Sequence, residues 1–191
     1  MKEGFLVPLV PELEQIRREI NAINLRAQEL CQGLSEEQLA WRPKPNRWSV
    51  AENLTHLDTT TAVMLPAVDQ TIAEARRRNL YREGPFHLGL LGRLYIWYSE
   101  PPPKLKLPAP KILKPLRNSA AILALPAFLA AQQQVLARLE QANGLDLSRV
   151  CFQSPIAAYI RMNLLAFFSV FTAHERRHIA QAAELRKRLP S

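Results

Sequence analysis

Phe167-Phe-Ser-Val-Phe171-Thr-Ala-His174-Glu-Arg-Arg-His178-Ile-Ala-Gln181-Ala-Ala-Glu-Leu185 is the stretch that decides the fold. Phe167, Phe171, His174, His178, Gln181 and Leu185 recur at steps of four, three, four, three and four. That rhythm places them on one face of a helix, with two phenylalanines at one end and a leucine at the other. The face therefore looks into a core, and it carries two imidazoles and an amide into it. Buried polar groups are costly unless something answers them, and the partner is either a neighbouring side chain or a metal ion bound by neutral imidazoles.

Three further long helices follow from the same arithmetic. Leu9, Leu13, Ile16, Ile20, Ile23, Ala27 and Leu30 form a narrow apolar stripe, with Pro11 suited to a first turn and Gly33 to a stop. Ser35-Glu-Glu-Gln38 has the form of a capping box and starts a short helix that ends before Pro43. Ser49-Val-Ala-Glu52 is a second capping box and opens a helix carried to about Arg78, facing inward through Val50, Leu54, Leu57, Thr61, Met64, Val68 and Ile72. His56 lies one turn into it, at the edge of the stripe beside Asn53 and Thr60. A third long helix starts at Pro126 and runs through Phe128, Leu129, Val135, Leu136 and Leu139 to Asn143-Gly144, and the fourth begins near Arg161 and continues to about Leu189. No strand-like alternation competes anywhere.

Between the second and third long helices, Leu80 to Leu125 form a long crossover. It contains one short apolar helix, His87 to Tyr98, and then extended backbone imposed by Pro101, Pro102, Pro103, Pro108, Pro110 and Pro115. The expectation is an all-α protein: one domain over residues 1–191, built as a four-helix bundle with a long proline-rich crossover.

Composition fits that reading. Of 191 residues, 48% are hydrophobic and 22% charged, ordinary values for a folded domain. The net charge of +8 raises nucleic acid as a partner, but the cations are scattered, and Arg76-Arg77-Arg78 and Arg186-Lys187-Arg188 sit at helix C-termini that favour cations regardless of function. Nucleic acid is therefore not expected. The N-terminus has no signal-peptide pattern, and the longest apolar run, Ala120 to Ala131, is shorter than the roughly 20 residues of a span. A cytoplasmic chain without membrane association is expected, with Cys31 and Cys151 as free thiols.

His174 and His178, four residues apart on one helical face, have a spacing that chelates one divalent ion. The same letters satisfy HExxH, in which Glu175 would be the general base of a metalloprotease, but no third ligand follows downstream. A third ligand has to come from another helix, and His56 meets that requirement, whereas His87 lies in the crossover. The spacing alone is shared by a metalloprotease, a structural core and a metal-binding bundle.

Arg47-Trp-Ser-Val-Ala-Glu-Asn-Leu-Thr-His56-Leu57 and His174-Glu-Arg-Arg-His178-Ile-Ala-Gln181 together resemble the DinB-like family, which includes the YfiT-type metal-dependent hydrolases and bacterial thiol transferases. The order of elements agrees from Val10 to Leu189. The resemblance implies a four-helix bundle that binds a divalent metal, zinc or nickel, through His56, His174 and His178, and a homodimer, a state that the apolar content of Leu88 to Tyr98 also suggests unless that stretch simply covers the bundle. Three histidine ligands leave a position for water or substrate, so hydrolysis or transfer of a low-molecular-weight thiol to a small molecule is the expected chemistry. The alternative is a non-catalytic metal- or ligand-binding bundle in a stress response. Glu52, one turn before His56, is a candidate to orient that imidazole besides its capping role, and Gln181 is a candidate to hydrogen-bond a metal-bound ligand. Asp58 and Glu175 point away from the histidine face, so no carboxylate base is expected. Trp48 is expected to pack over the helix start and Arg177 to lie at the surface or between helices.

Overall fold

The computed structural model describes residues 8–101, 109–115 and 120–190. The long helices are α1 (Pro11–Cys31), α3 (Val50–Arg77), α5 (Ala124–Ala142) and α6 (Leu164–Arg186), with short helices α2 (Glu36–Ala40) and α4 (Gly89–Ser99) between them. Both capping boxes form as read: Ser35 and Ser49 each accept from the backbone three residues on, and Gln38 and Glu52 reach back to the cap N–H. Pro66 is tolerated within α3 because it and Ala62, whose carbonyl loses its partner, both face solvent.

The long helices pack in the cyclic order α1–α6–α3–α5. Their apolar faces form two clusters. One joins Leu13 and Ile20 of α1 to Val68 of α3, Val135 of α5 and Phe168 of α6. The other joins Ile23 and Leu30 of α1 to Val50 and Leu57 of α3, Phe128 of α5 and Ile179 of α6. The first half of α1 thus meets the second half of α3 and α5 and the first half of α6. It follows that α3 and α5 run parallel as neighbours, and a chain can join parallel neighbours only by travelling back along the bundle. That return is the physical reason for the long crossover. Of its prolines, Pro110 precedes a 3-10 turn at Lys111–Leu113, while Pro102, Pro103 and Pro108 lie outside the described residues.

Three sequence readings need correction. Arg161–Asn163 is a strand, β2, paired antiparallel with β1 (Cys151–Gln153), so Phe152 faces Met162. The true start of α6 is set by Asn163, whose Oδ1 accepts from the Ala166 N–H at 2.8 Å. A three-residue strand is too short to show alternation, and this is why it passed unseen. At the other end α6 stops at Arg186. Third, residues 121–142 are together long and apolar enough to cross a bilayer by length and composition alone, beyond the run ending at Ala131. Phe128, Ala131, Val135 and Leu139 of this stretch are buried in the bundle.

Both cysteines are free, Cys31 half-buried and Cys151 exposed. Burial pushes the Cys31 thiol up to about 11, with the Arg186 charge only partly opposing it. Because the thiolate is the reactive form, one equivalent of thiol is expected to react rapidly with an aromatic disulfide near neutral pH, and Cys151→Ser should remove it. Two rapid equivalents in the folded protein would contradict this.

Candidate metal centre

A polar layer separates the two apolar clusters, containing His56, Thr60, Thr61, Gln132, Thr172, Glu175 and His178 among the buried residues. In this layer one nitrogen from each of His56, His174 and His178 lies within 4.8 Å of the other two. His56, which the sequence places at the edge of its stripe, is turned fully inward with 2% exposure. His178 is also buried and His174 is half-buried.

The hydrogen bonds determine where the protons lie. His56 Nδ1 sits 2.6 Å from the Leu113 carbonyl oxygen, which only accepts, so Nδ1 carries the proton and Nε2 the lone pair. His178 Nδ1 lies 3.1 Å from Asn53 Oδ1. The Asn53 amide has one admissible orientation, because its Nδ2 donates to the Ser49 carbonyl at 2.8 Å, and Oδ1 must therefore accept from His178. His178 Nε2 is thereby a lone pair as well. His56 Nε2 faces His174 Nε2 at 3.4 Å. A tetrahedral ion with bonds of about 2.0–2.1 Å to nitrogen sets two ligand nitrogens about 3.3 Å apart, so this edge already has the dimension of a metal site.

Electrostatics keep the imidazoles neutral. Burial lowers the affinity of His56 for a proton, against the Leu113 hydrogen bond. Burial, then the charges of His56 and Arg177, pull His174 to about 3. Burial pulls His178 well below its ordinary value, reinforced by His174, His56 and Arg177. The lone pairs of His56 and His178, with a ring nitrogen of neutral His174 beside them, are a donor set suited to a cation.

The surrounding residues only partly follow the sequence reading. Glu52 does not touch His56; its carboxylate accepts from Arg42 Nε and Nη2, both at 2.7 Å, and from the Ser49 N–H at 2.9 Å. A bidentate guanidinium and a backbone cap occupy the acceptors that would have oriented the ring. Orientation falls instead to Leu113 and Asn53, which sequence reasoning missed. A backbone carbonyl from the crossover leaves no mark in the sequence, but Asn53, one turn from His56 on the inner face, was a visible signal. Trp48, expected to cover the helix start and near enough in sequence to line the pocket mouth, stacks on His178 with ring centroids 5.7 Å apart, and its centroid lies 4.8 Å from that of His56. Gln181 is half-buried one turn beyond His178, and Arg177 packs between helices, its guanidinium 5.5 Å above the Tyr98 ring.

Glu175 is fully buried and hydrogen-bonded to Gln132 of α5, with Nε2 donating to Oε2 at 3.0 Å. Its carboxyl group is turned to Gln132 and sealed from solvent, whereas a metalloprotease base must meet the water it activates.

If Asn53 holds His178 in register, Asn53→Ala is expected to weaken metal affinity by roughly 10- to 100-fold. Asn53→Asp, which keeps an acceptor oxygen, should restore most of it. A competition titration against a chromophoric chelator reads both, and unchanged affinity in the alanine variant would remove Asn53 from this role.

No curated protein and no solved structure matches the chain. A family model does, that of the DinB superfamily, over residues 25–182. The matched span contains the last third of α1, all of α3 and α5, and both histidines of α6. The protein, a helical bundle with a three-histidine cluster fit to hold a metal ion, belongs to the DinB superfamily.

Proposed function

We propose that the chain is a metal-dependent enzyme acting on a small molecule, as a hydrolase or a low-molecular-weight-thiol transferase, with zinc or nickel at His56, His174 and His178. The observation that carries this reading is the pair of Nε2 atoms of His56 and His174 facing each other at 3.4 Å, with the His56 Nδ1 proton already committed to Leu113. When the His174 proton sits on Nδ1, two lone pairs face each other at the separation of two ligands on one ion, and a cation between them satisfies both; without metal, the Nε2–H tautomer of His174 donates to His56 instead. An ion held by three neutral imidazoles keeps its full charge and an open position, and so acidifies water or a thiol. The chain's own residues orient the ligands through Leu113 and Asn53 and exclude water on one side with the Trp48 indole.

A second reading, a non-catalytic metal- or ligand-binding bundle, is favoured by one observation: the nearby carboxylates of Glu52 and Glu175 are occupied by Arg42 and Gln132. Metal-loaded and chelator-stripped protein, assayed with thiols plus electrophiles and with esters and amides, separate the two. Turnover confined to the loaded protein supports the enzyme. Stoichiometric metal with no turnover on any of these classes supports the second reading.

A further inference from the structure

From Leu80 to Leu125 the crossover carries seven cations, Arg82, Arg93, Lys104, Lys106, Lys111, Lys114 and Arg117, against two acids, Glu83 and Glu100. Glu100 does not balance them, because it is ion-paired with Arg176 of α6. The charge that is scattered elsewhere is therefore one-sided in the crossover, and α4 lies at the head of it.

The two faces of α4 differ. On the inner face, a Cβ at Gly92 would come within 2.6 Å of the Ala166 Cβ, so glycine is what allows α4 to lie close on α6. On the outer face Leu90 is 83% exposed, Leu91 57%, Leu94 55% and Trp97 59%. Leu90, Leu94 and Trp97 are spaced by four and three, which makes one line along the helix. Single exposed leucines are ordinary, but four large apolar side chains on one short helix form a patch of the kind that marks a contact surface. The 3-10 turn repeats the pattern: Leu113 is buried, while Ile112 is exposed between the exposed Lys111 and Lys114.

Charge decides what covers the patch. The one ionised side chain on α4 is Arg93, exposed one turn beyond Leu90, and the helix contains no acid. A symmetric pair of α4 helices would bring Arg93 towards its own copy with no carboxylate of the helix to answer it. Lipid phosphates answer both Arg93 and the lysines, and Tyr95, Trp97 and Tyr98 are of the ring type enriched at headgroup level. We propose that α4 docks this chain on an anionic bilayer surface, its leucines and Trp97 entering the headgroup boundary and Arg93, Lys111 and Lys114 meeting phosphates. Eleven residues are too few to span a bilayer, so the contact is a surface one, and it departs from the expectation of no membrane association. The docking elements also border the metal centre, since Tyr98 O accepts from Arg177 and Leu113 O from His56.

Sedimentation of the full chain with vesicles of phosphatidylcholine alone, or of phosphatidylcholine plus phosphatidylglycerol, tests this. Binding is expected only with phosphatidylglycerol, to weaken as salt rises, and to fall roughly tenfold or more in the Lys111→Glu/Lys114→Glu double variant. Leu90→Glu/Leu94→Glu, at exposed positions, should abolish binding while the thermal melt stays that of wild type; if that variant misfolds, the lysine variant still decides. The proposal is overturned by no binding to anionic vesicles, by equal binding of neutral vesicles or of the lysine variant, or by a solution dimer that Leu94→Glu dissociates. The last result would assign the face to a second copy.

Discussion

His174→Ala is expected to reduce bound metal from about one ion per chain to background, and with it the stabilisation that metal confers. His174 is the informative ligand because, among the described residues, Nε2 alone of its ring nitrogens has a hydrogen-bonding contact, and that contact is the His56 nitrogen at 3.4 Å. Among the described residues no outer hydrogen bond is lost with it, only the long contact between the two Nε2 atoms. Without metal, the variant should therefore melt within about 1 kcal/mol of wild type. With metal at about 1,000 times its Kd, wild type should gain about 4 kcal/mol, and the variant almost none. Elemental analysis of the purified proteins and melts with metal or chelator measure both. A variant that keeps its metal, or one that is as strongly destabilised with chelator as with metal, would show that His174 is a packing residue and not a ligand.

Most of what this prediction rests on is visible in the sequence. The capping box at Ser49 fixes where α3 begins and hence the phase of His56 along it, and the four-three rhythm from Phe167 fixes the phase of His174 and His178. Local signals of this kind read well because capping and helical periodicity are determined by residues within one or two turns. The ring of contacts around the histidines reads poorly for the opposite reason. Leu113 reaches His56 across 57 positions and through a backbone carbonyl, so its side chain says nothing about the role. Glu52 does close its capping box, yet the guanidinium of Arg42, ten residues upstream in a turn, takes the carboxylate away from the imidazole. Likewise the parallel packing of α3 and α5, which makes the crossover necessary, is a property of two apolar clusters and not of any one segment.

The second large effect concerns Glu175, whose burial no periodicity argument anticipated. Its Oε2 accepts from Gln132 Nε2, while its Oε1 and the Gln132 Oε1 are both buried without a partner. Two acceptor oxygens short of a donor, in a pair fully removed from solvent, favour a proton on the carboxyl. Accordingly, burial raises Glu175 from the ordinary value to about 8, against smaller lowering by the Gln132 hydrogen bond and the Arg176 charge. Between about pH 4.5 and about pH 8 the folded chain then holds a proton that the unfolded chain has released, so stability falls as pH rises through that window. Glu175→Gln removes the titration and supplies an amide donor in its place. The variant is expected to match wild type near pH 4.5 and to exceed it by a few kcal/mol near pH 9, since each tenfold difference in proton affinity between the folded and unfolded chain is worth about 1.4 kcal/mol. Urea unfolding of both proteins across that range, in chelator so that metal binding does not enter, gives the difference directly. Parallel pH profiles would mean that Glu175 is ionised in the fold and that a donor other than its own proton satisfies the pair with Gln132.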